Sequence, residues 1–320
     1  MKFADFLEDR HIFENDHARR QPLVSIVLPT YNRSREGLLK PCIDSVLAQT
    51  FANFELIILD DASDDDSADV IRQYARQDSR IVAVFHEHNS GLPALRADEG
   101  ILLARGQLIA FIFDDNTWQS DMLQTMLTAA QQSNAEMVVG QVTLPSSNGA
   151  RVLGGLPLTE DLFFTFNSIP NGAVLCQRSF FEHYGLYDPH LLLRRVCDWD
   201  LWLRSLRLGA QIITIPQVVG TEKGLKSAQS LGNTVRWDRK VALAYMTDPN
   251  TAAARRAALL PGGILDYNPF DPERVVRYVR DMTEWDRLEE QVYTPFFRAH
   301  PAFPTEPLVR HNRRHDAAIN

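Results

Sequence analysis

From residue 22 to residue 143, the sequence alternates continuous apolar segments with amphipathic segments of helical period. The apolar segments predict five β-strands: Leu23 to Pro29, Phe54 to Asp61, Arg80 to Phe85, Gln107 to Asp115 and EMVVGQV. The segments between them predict helices, for example from Leu38 to Leu47 and around Ala94 to Ala104. Strands that are apolar on both faces belong to parallel sheets covered by helices on both sides. The sequence therefore predicts an α/β fold with a mostly parallel sheet.

The rest of the chain is less regular. Residues 144–170 are rich in Gly, Pro and Ser and predict a large loop or a small hairpin layer. A strand at GAVLC, a helix near Phe180, a helix over Asp198 to Leu206 and a strand at QIITIP follow. A further helix is predicted from one apolar face, formed by Val275, Tyr278, Val279, Met282, Trp285, Leu288 and Val292. We expect an N-terminal arm (1–21), a main domain (22–226), a helical C-terminal extension (227–300) and a flexible tail (301–320).

Composition limits which partners and which cellular location we expect for this protein. The chain has 320 residues and a net charge of −8, which argues against nucleic acid as a partner. No apolar run approaches the roughly 18 to 20 residues that span a bilayer, and the N-terminal segment lacks the apolar core of a secretory signal. The three cysteines, Cys42, Cys176 and Cys197, include no CxxC pair. We therefore expect neither a disulfide framework nor a zinc site, and a cytoplasmic location.

Two of the predicted strands end in paired acids, Asp60–Asp61 and Asp114–Asp115. The carboxyl ends of parallel strands meet at one edge of the sheet, where open α/β sheets bind ligands. Two acid pairs at one edge repel each other unless a cation such as magnesium or manganese joins them. Alternatively, each pair only starts a turn and caps the next helix. For Asp60 the two interpretations are equally good, whereas the run Asp114, Asp115, Asn116 is more polar than a cap requires.

Five motifs follow one another along the chain: PTYNR, QTFANFELIILDDASDD, NSGLP, ARGQLIAFIFDDN and CDWDLWLR. In their order and spacing they resemble the family 2 glycosyltransferases. The resemblance covers about Leu23 to Val218, and the C-terminal third has no part in it. It implies a Rossmann-like GT-A core. It also implies inverting transfer of a sugar from a nucleotide-diphosphate sugar, with Mn²⁺ or Mg²⁺ as the cofactor.

The resemblance also implies roles for individual residues. The loop that lies against the nucleotide base and ribose matches four residues: Pro29, Thr30, Tyr31 and Asn32. Asp61 matches the residue that hydrogen-bonds the base. Asp114 and Asp115 match the DxD-type motif, with Asp115 as the direct metal ligand and Asp114 nearer the ribose.

Asp198 matches the general base that takes a proton from the acceptor hydroxyl. An inverting displacement needs one base and no covalent nucleophile, and a position at the start of a helix favours the ionised carboxylate. Asp200 is a rival, but Arg204 lies four residues later, so an ordinary helical ion pair explains Asp200. We therefore expect Asp198 to be the catalytic residue.

The chain departs from the family pattern at two points. Where the family commonly has an Arg-Asn pair, this sequence has Ala97 and Asp98, and Arg96 stands one residue early. Arg96 is therefore a candidate for binding the donor diphosphate, and a surface salt bridge is an equally good interpretation. Some relatives supply a late histidine ligand, but this chain has no histidine between His190 and His300. We expect the cation to keep water ligands instead.

Other polar and aromatic residues have weaker functional interpretations. His86 and His88 have the alternating spacing of solvated loop side chains. Trp202 is expected to pack in the core, whereas for Trp199 both core packing and stacking on an acceptor sugar stay open. The polar loop from Thr221 to Asn233 is a candidate lid over donor and acceptor.

The predicted function is glycosyl transfer from a UDP-sugar, the donor that the family favours, with GDP- and TDP-sugars left open. The expected acceptor is a saccharide or a lipid-linked sugar in bacterial surface polysaccharide or glycoconjugate synthesis. One alternative is a sugar nucleotidyltransferase, although PTYNRSREG has few glycines for a phosphate loop. The other is a non-catalytic nucleotide-sugar-binding module, which the intact acids disfavour. The C-terminal helices predict a homodimer contact or, at most, peripheral membrane contact.

Overall fold

The computed structural model describes residues 2–14, 21–146, 149–159, 167–190, 193–223, 242, 245–249 and 251–269. Contacts divide the chain into one unit of Met1–Trp237 and Met246–Asp271 and a second of Asp238–Tyr245 and Pro272–Asn320. Every element given below belongs to the first unit. The predicted helix over residues 275–292 and the tail at 301–320 lie outside the described residues. The domain boundaries drawn from the sequence stay a prediction.

A ten-stranded sheet forms the centre of this unit. Its strands are β1 (Arg10–Glu14), β2 (Val24–Thr30), β3 (Phe54–Asp60), β4 (Ile81–His86), β5 (Leu108–Phe111), β6 (Asn116–Trp118), β7 (Met137–Ser146), β8 (Gly149–Leu153), β9 (Val174–Gln177) and β10 (Ile212–Glu222). Their order is β1-β4-β3-β2-β5-β9-β7-β10-β6, with β8 paired to β7. Strands β4, β3, β2 and β5 are parallel neighbours, as are β7 and β10. The α/β fold with a mostly parallel central sheet is confirmed.

Helices alternate with the strands as the sequence predicts. They are α1 (Leu39–Leu47), α2 (Ser67–Gln77), α3 (Pro93–Leu103), α4 (Met122–Ser133), α5 (Arg178–Tyr184), α6 (Cys197–Arg207) and α7 (Ala252–Leu259). Strands β2, β3 and β4 are buried at every position, because helices and neighbouring strands cover them. No helix in the described part of the chain is both long and apolar enough to cross a bilayer.

Strand β1 and the end of β5 differ from the sequence-based prediction. Strand β1 lies in the segment predicted as an arm, and it pairs antiparallel with β4, with Ile12 opposite Val84. It is an edge strand whose residues are mostly exposed, so it lacks the apolar run that marks the other strands. The strand predicted up to Asp115 ends at Phe111, because a turn closed by the bond from Asn116 N to Phe113 O (2.8 Å) follows. The paired acids therefore lie in a turn.

The topology creates a crevice beside β2. The chain continues from β2 to β3 on one side and later returns to β5 on the other, so β2 lies at a topological switch point. Helix α3 packs closely on β2, because a Cβ atom at Gly100 would lie 2.4 Å from Val27 Cγ1. This close approach brings the first turns of α3 to the carboxyl ends of the strands.

Candidate active site

A cleft of about 660 Å³ opens at the carboxyl ends of β2 and β3 and at the turn after β5. Eight residues singled out from the sequence line it: Pro29, Thr30, Tyr31, Asp61, Arg96, Asp114, Asp115 and Asp198. The structure therefore brings four separate sequence motifs and the first turn of α3 to one site. Asn32 is the one sequence-predicted site residue that is not part of the described cleft wall.

Asn32 instead holds two loops together behind the cleft. It is buried and has a left-handed backbone with φ of 56°. Its side-chain oxygen accepts a hydrogen bond from Asp64 N (2.8 Å), and its own backbone N–H donates to Ser63 Oγ (2.9 Å). These bonds fix the direction in which the chain leaves β2, and so they orient Tyr31. Asn32 acts here on the shape of the loop.

The carboxylate of Asp61 is surrounded by donors. It accepts hydrogen bonds from Ser90 N (3.0 Å), Ser90 Oγ (3.1 Å) and Gly91 N (3.3 Å). It also accepts one from Arg96 Nε (2.6 Å). By contrast, Asp60 accepts from Ser63 within a local turn, which agrees with the turn-forming interpretation of this acid. Asp61 thus joins the NSGLP loop and α3 to the end of β3.

Arg96 is buried, so the interpretation as a surface salt bridge is wrong. Besides Asp61, its guanidinium donates to Glu99 Oε2 (3.2 Å). Glu99 in turn pairs with Arg10 of β1 (3.1 Å) and with the ring of His86 (2.8 Å). Arg96 and Glu99 lie on the buried side of α3, where their opposite charges pair with each other.

His86 is also buried, which contradicts the expected solvated side chain. Its Nδ1 lies 2.9 Å from the carbonyl oxygen of Asp60, and its Nε2 lies 2.8 Å from Glu99 Oε2. Both ring nitrogens therefore lie within hydrogen-bond distance of an oxygen atom. His88 is exposed as expected, at 83% of its side chain.

Asp114 and Asp115 follow β5 and differ in their surroundings. Asp114 pairs with Arg33 (3.0 Å), yet burial raises the pKa of Asp114 to about 6 despite the opposing effect of Arg33. Burial also raises the pKa of Asp115, and Arg33 opposes that shift as well. The Asp115 carboxylate accepts a hydrogen bond from Asn116 Nδ2 (3.1 Å). Arg33 thus acts on both Asp114 and Asp115, and its single positive charge cannot balance two ionised carboxylates.

Glu222 is an acid of the cleft that the sequence analysis missed. It ends β10, opposite Asn116 in β6, and the next residue donates its backbone N–H to Asp115 O (2.9 Å). Burial, and then the negative charges of Asp115 and Asp198, raise the pKa of Glu222 to about 7. A signal existed in the sequence, since Glu222 is an acid at the end of an apolar strand. The prediction ended that strand at QIITIP, six residues earlier.

Asp198 is the second residue of α6, so the expected position at a helix start is confirmed. Its Oδ2 accepts a hydrogen bond from Asn167 Nδ2 (2.9 Å). Burial raises the pKa of Asp198, whereas the hydrogen bonds from Trp199 N and Asn167 and the nearby charge of Arg195 oppose that rise. Asn167 and Arg195 also line the cleft and were not identified from the sequence. A carboxylate with a raised pKa is suited to accept a proton near neutral pH.

Asp200 has a structural environment. It pairs with Arg204 (3.3 Å), as the helical spacing predicts, and also with Arg255 of α7.

Trp202 is fully buried and packs edge-on against Tyr187, as expected for a core residue. Trp199 is buried too, and it is not among the described residues that line the cleft. Of the loop proposed as a lid, only Thr221, Glu222 and Lys223 lie within the described residues.

Comparison with known proteins decides the family. The family model for glycosyl transferase family 2 matches residues 25–179. TuaG of Bacillus subtilis (strain 168), a glycosyltransferase named for teichuronic acid biosynthesis, is 36% identical over 192 residues. That match covers 59% of this chain and 74% of TuaG. The chain belongs to glycosyl transferase family 2.

Two further proteins are similar to this chain. WfgD of Escherichia coli, a UDP-Glc:alpha-D-GlcNAc-diphosphoundecaprenol beta-1,3-glucosyltransferase, is 32% identical over 186 residues, covering 58% of this chain and 70% of WfgD. The mannosyltransferase PcManGT from Pyrobaculum calidifontis, solved with GDP-Man and Mn²⁺, shares the fold with a TM-score of 0.54 and 18% identity. That alignment covers 98% of this chain and 85% of PcManGT. The chain spans only 38% and 33% of the length of two other curated relatives.

The family consists of transferase enzymes, which favours glycosyl transfer over the nucleotidyltransferase and non-catalytic alternatives.

Proposed function

We propose that this glycosyltransferase moves a sugar from a nucleotide-diphosphate sugar, with UDP-sugars preferred, to an acceptor hydroxyl with inversion at the anomeric carbon. The observation that carries the proposal is the convergence of Asp61, Asp115 and Asp198 on one cleft. These acids come from the end of β3, the turn after β5 and the start of α6. The reaction needs one carboxylate to bind the donor, one to bind the cation and one to accept the proton of the acceptor hydroxyl. All three must lie close enough to act on the same bound donor.

The donor occupies the part of the cleft beside β2 and β3 in this proposal. Pro29, Thr30 and Tyr31 lie against the nucleotide, and Tyr31 is 39% exposed, so its ring is available for contact. Asp61 and Asp114 lie on either side of this loop, and Tyr31 N is 3.4 Å from Asp114 Oδ2. Asn32 contributes by holding the loop, and the buried Arg96 contributes by holding Asp61.

The acids of the cleft fit a hard divalent cation such as Mn²⁺ or Mg²⁺. Asp115 is the proposed direct ligand and Asp114 is a second candidate. Burial raises the pKa of both carboxylates, and a bound cation would favour their ionised forms. No group of three or more His, Cys, Asp or Glu side chains in the described ranges is arranged to hold a metal ion. Water and the donor phosphates would therefore complete the coordination. When bound, the cation would offset the charge of the departing nucleoside diphosphate.

Asp198 performs the proton transfer in this proposal. Its ionised carboxylate takes the proton of the acceptor hydroxyl while that oxygen forms a bond to the anomeric carbon. The bond from the anomeric carbon to the diphosphate oxygen breaks at the same time, and the nucleoside diphosphate leaves with the electron pair. A single displacement of this kind inverts the configuration. The hydrogen bond from Asn167 to Oδ2 favours the ionised carboxylate against the effect of burial.

The relatives support the choice of donor and setting. WfgD is named for transfer from UDP-Glc to a sugar linked to a lipid diphosphate, and TuaG for teichuronic acid biosynthesis. We therefore propose a saccharide or lipid-linked acceptor and a role in surface polysaccharide or glycoconjugate synthesis. Cys42, Cys176 and Cys197 are free, which agrees with a reducing cytoplasm. The homodimer contact through the C-terminal helices stays a prediction.

The test is a thermal-shift panel of UDP-, GDP- and TDP-sugars with Mn²⁺, because a ligand that binds the native state raises its melting temperature. We expect a UDP-sugar to give the largest shift. NMR of the product formed from that donor then reports the anomeric configuration, which we expect to be inverted. A panel in which no nucleotide sugar stabilises the protein would contradict the proposed function.

A further inference from the structure

Arg194 is a cleft residue whose charge is not used by any other residue that the structure describes. It lies just before α6 and lines the cleft. Its Nε atom is buried and has no hydrogen-bond partner in the described part of the chain. Among the described residues, no carboxylate lies within ion-pair distance of Arg194. A buried donor without a partner costs free energy, and a ligand that supplied the missing acceptor would remove that cost.

Two other arginines at the cleft, Arg33 and Arg96, are already engaged. Arg33 pairs with Asp114 and Glu36, and Arg96 pairs with Asp61 and Glu99. A phosphate oxygen that approached either of them would compete with a carboxylate that is already in place. Burial lowers the pKa of Arg195, and the nearby charge of Asp198 opposes this shift. Arg195 thus lies near the carboxylate of Asp198. Arg194 is thus the best placed of these guanidinium groups to bind an incoming anion.

The guanidinium of Arg194 lies beside Gly91 of the NSGLP loop. A Cβ atom at Gly91 would lie 3.0 Å from Arg194 Nη2 and 3.6 Å from its Cζ, and the backbone φ there is +62°. Any side chain at this position would meet the guanidinium. Gly91 N also donates to Asp61 Oδ2 (3.3 Å), so Arg194 lies on the Asp61 side of the cleft. This is the side on which the proposed function places the nucleotide.

The charge balance of the cleft explains why an additional cation is needed. Four carboxylates line it, those of Asp114, Asp115, Asp198 and Glu222. A diphosphate that entered a site with this excess of negative charge would be repelled. One divalent cation at Asp115 offsets part of the charge. A guanidinium adds paired N–H donors whose geometry matches phosphate oxygens.

We propose that Arg194 binds the diphosphate of the donor, in the place that the sequence pattern gives to Arg96. This inference rests on the proposed function, since it names a binding residue for the same donor. The same chemistry would also suit the diphosphate of a lipid-linked acceptor. The proximity of Arg194 to Gly91 and Asp61 favours the donor, and the experiment separates the two sources.

The experiment compares Arg194→Gln, Arg194→Lys and Arg76→Gln with the wild-type full chain. Arg76 is an exposed residue of α2, so its replacement removes the same charge away from the cleft. Calorimetry with Mn²⁺ present measures the affinity for UDP, GDP, TDP and inorganic pyrophosphate. We expect Arg194→Gln to weaken UDP and pyrophosphate binding by roughly 10- to 100-fold, the usual range for a charged hydrogen bond. Arg194→Lys should weaken binding less, and Arg76→Gln should leave it unchanged.

The outcomes distinguish this inference from the proposed function. If the wild type binds UDP and Arg194→Gln binds it within twofold as tightly, the role of Arg194 is refuted and the proposed function stands. If Arg194 affects pyrophosphate binding but no nucleoside diphosphate binds, the proposed function fails and the anion site stands. An effect confined to the KM of a lipid-diphosphate acceptor, with donor affinity unchanged, overturns the assignment to the donor. Arg194→Lys, which keeps the charge, decides these cases if Arg194→Gln does not fold.

Discussion

The guanidinium of Arg96 and the carboxylate of Asp61 form a buried ion pair, with Nε 2.6 Å from Oδ1. The family resemblance gives both residues a contact with the donor, whereas the structure shows them bound to each other. Because Ser90 and Gly91 also donate to this carboxylate, Asp61 holds the NSGLP loop in place. The pair therefore supports the wall of the cleft on which the nucleotide is proposed to lie.

We expect Arg96→Gln to lower the free energy of unfolding by about 3 to 5 kcal/mol, because it leaves the buried carboxylates of Asp61 and Glu99 without their shared cation. Chemical denaturation followed by circular dichroism measures the change. The matched control is Arg35→Gln, since Arg35 and Asp64 are 3.9 Å apart and mostly exposed. That control should lose less than about 1 kcal/mol. Equal losses in both variants would refute the buried role of Arg96.

Glu222 makes the stability of the metal-free protein depend on pH. Its pKa is about 7 in the folded protein against an ordinary value of 4.5, so the folded state holds its proton more tightly than the unfolded state. The stability that this proton provides is present below pH 4.5 and is lost as pH rises towards 7. The loss amounts to up to about 3 kcal/mol. We expect Glu222→Gln to stabilise the metal-free protein at pH 8 and to change it little at pH 4.5, measured by denaturant titration at both values.

The same variant tests the charge balance of the cleft. Mn²⁺ should stabilise the wild type at pH 8 more than it stabilises Glu222→Gln, because the variant has one negative charge fewer beside Asp115. An exposed acid, Asp69→Asn on α2, serves as the control and should leave both quantities unchanged. Identical pH profiles for Glu222→Gln and the wild type would show that the carboxylate is not buried in solution.

The regular elements of the fold could be predicted because burial on both faces leaves a plain apolar pattern. Strands β2, β3 and β4 and helix α1 were found to within a residue or two. Strand β1 could not be found this way, since RHIFE at an exposed edge has a sequence that suits a loop equally well. The early end of β5 depends on the turn around Asp114 and Asp115, and Ile112 N still bonds Val27 O after the strand ends.

The acids of the candidate site could be predicted where a motif marks them, as for Asp61, Asp115 and Asp198. Glu222 was missed because the predicted strand ended too early, before the acid at its true end. Asn167 reaches the cleft only through loop packing, which leaves no local signal in the sequence. His86 was assigned to solvent because its partner Glu99 lies on another element and the pairing is visible only in three dimensions. Arg96 was left open for the same reason.

Asn167 is expected to set the pH dependence of turnover. Its amide donates to Asp198 Oδ2 and favours the ionised carboxylate, so Asn167→Ala should raise the pKa of Asp198 further. Because the base must be ionised, activity rises with pH through this pKa, and the acidic limb of the kcat profile should move to higher pH in the variant. Rates measured at saturating donor from pH 5 to 9 test this shift. Loss of activity by the same factor at every pH would show that Asn167 acts in another way.

Asp198 and Asp200 lie on the same helix, and their asparagine variants should behave in opposite ways. Asp198→Asn keeps the shape of the side chain but cannot take the acceptor proton, so kcat should fall by roughly 10²- to 10⁴-fold while donor affinity and melting temperature stay close to those of the wild type. Asp200→Asn breaks the buried pairs with Arg204 and Arg255, so it should lower the melting temperature. The folded fraction of Asp200→Asn should keep most of its activity, because Asp200 does not line the cleft. Turnover that survives in Asp198→Asn but disappears in a fully folded Asp200→Asn would move the role of base from one residue to the other.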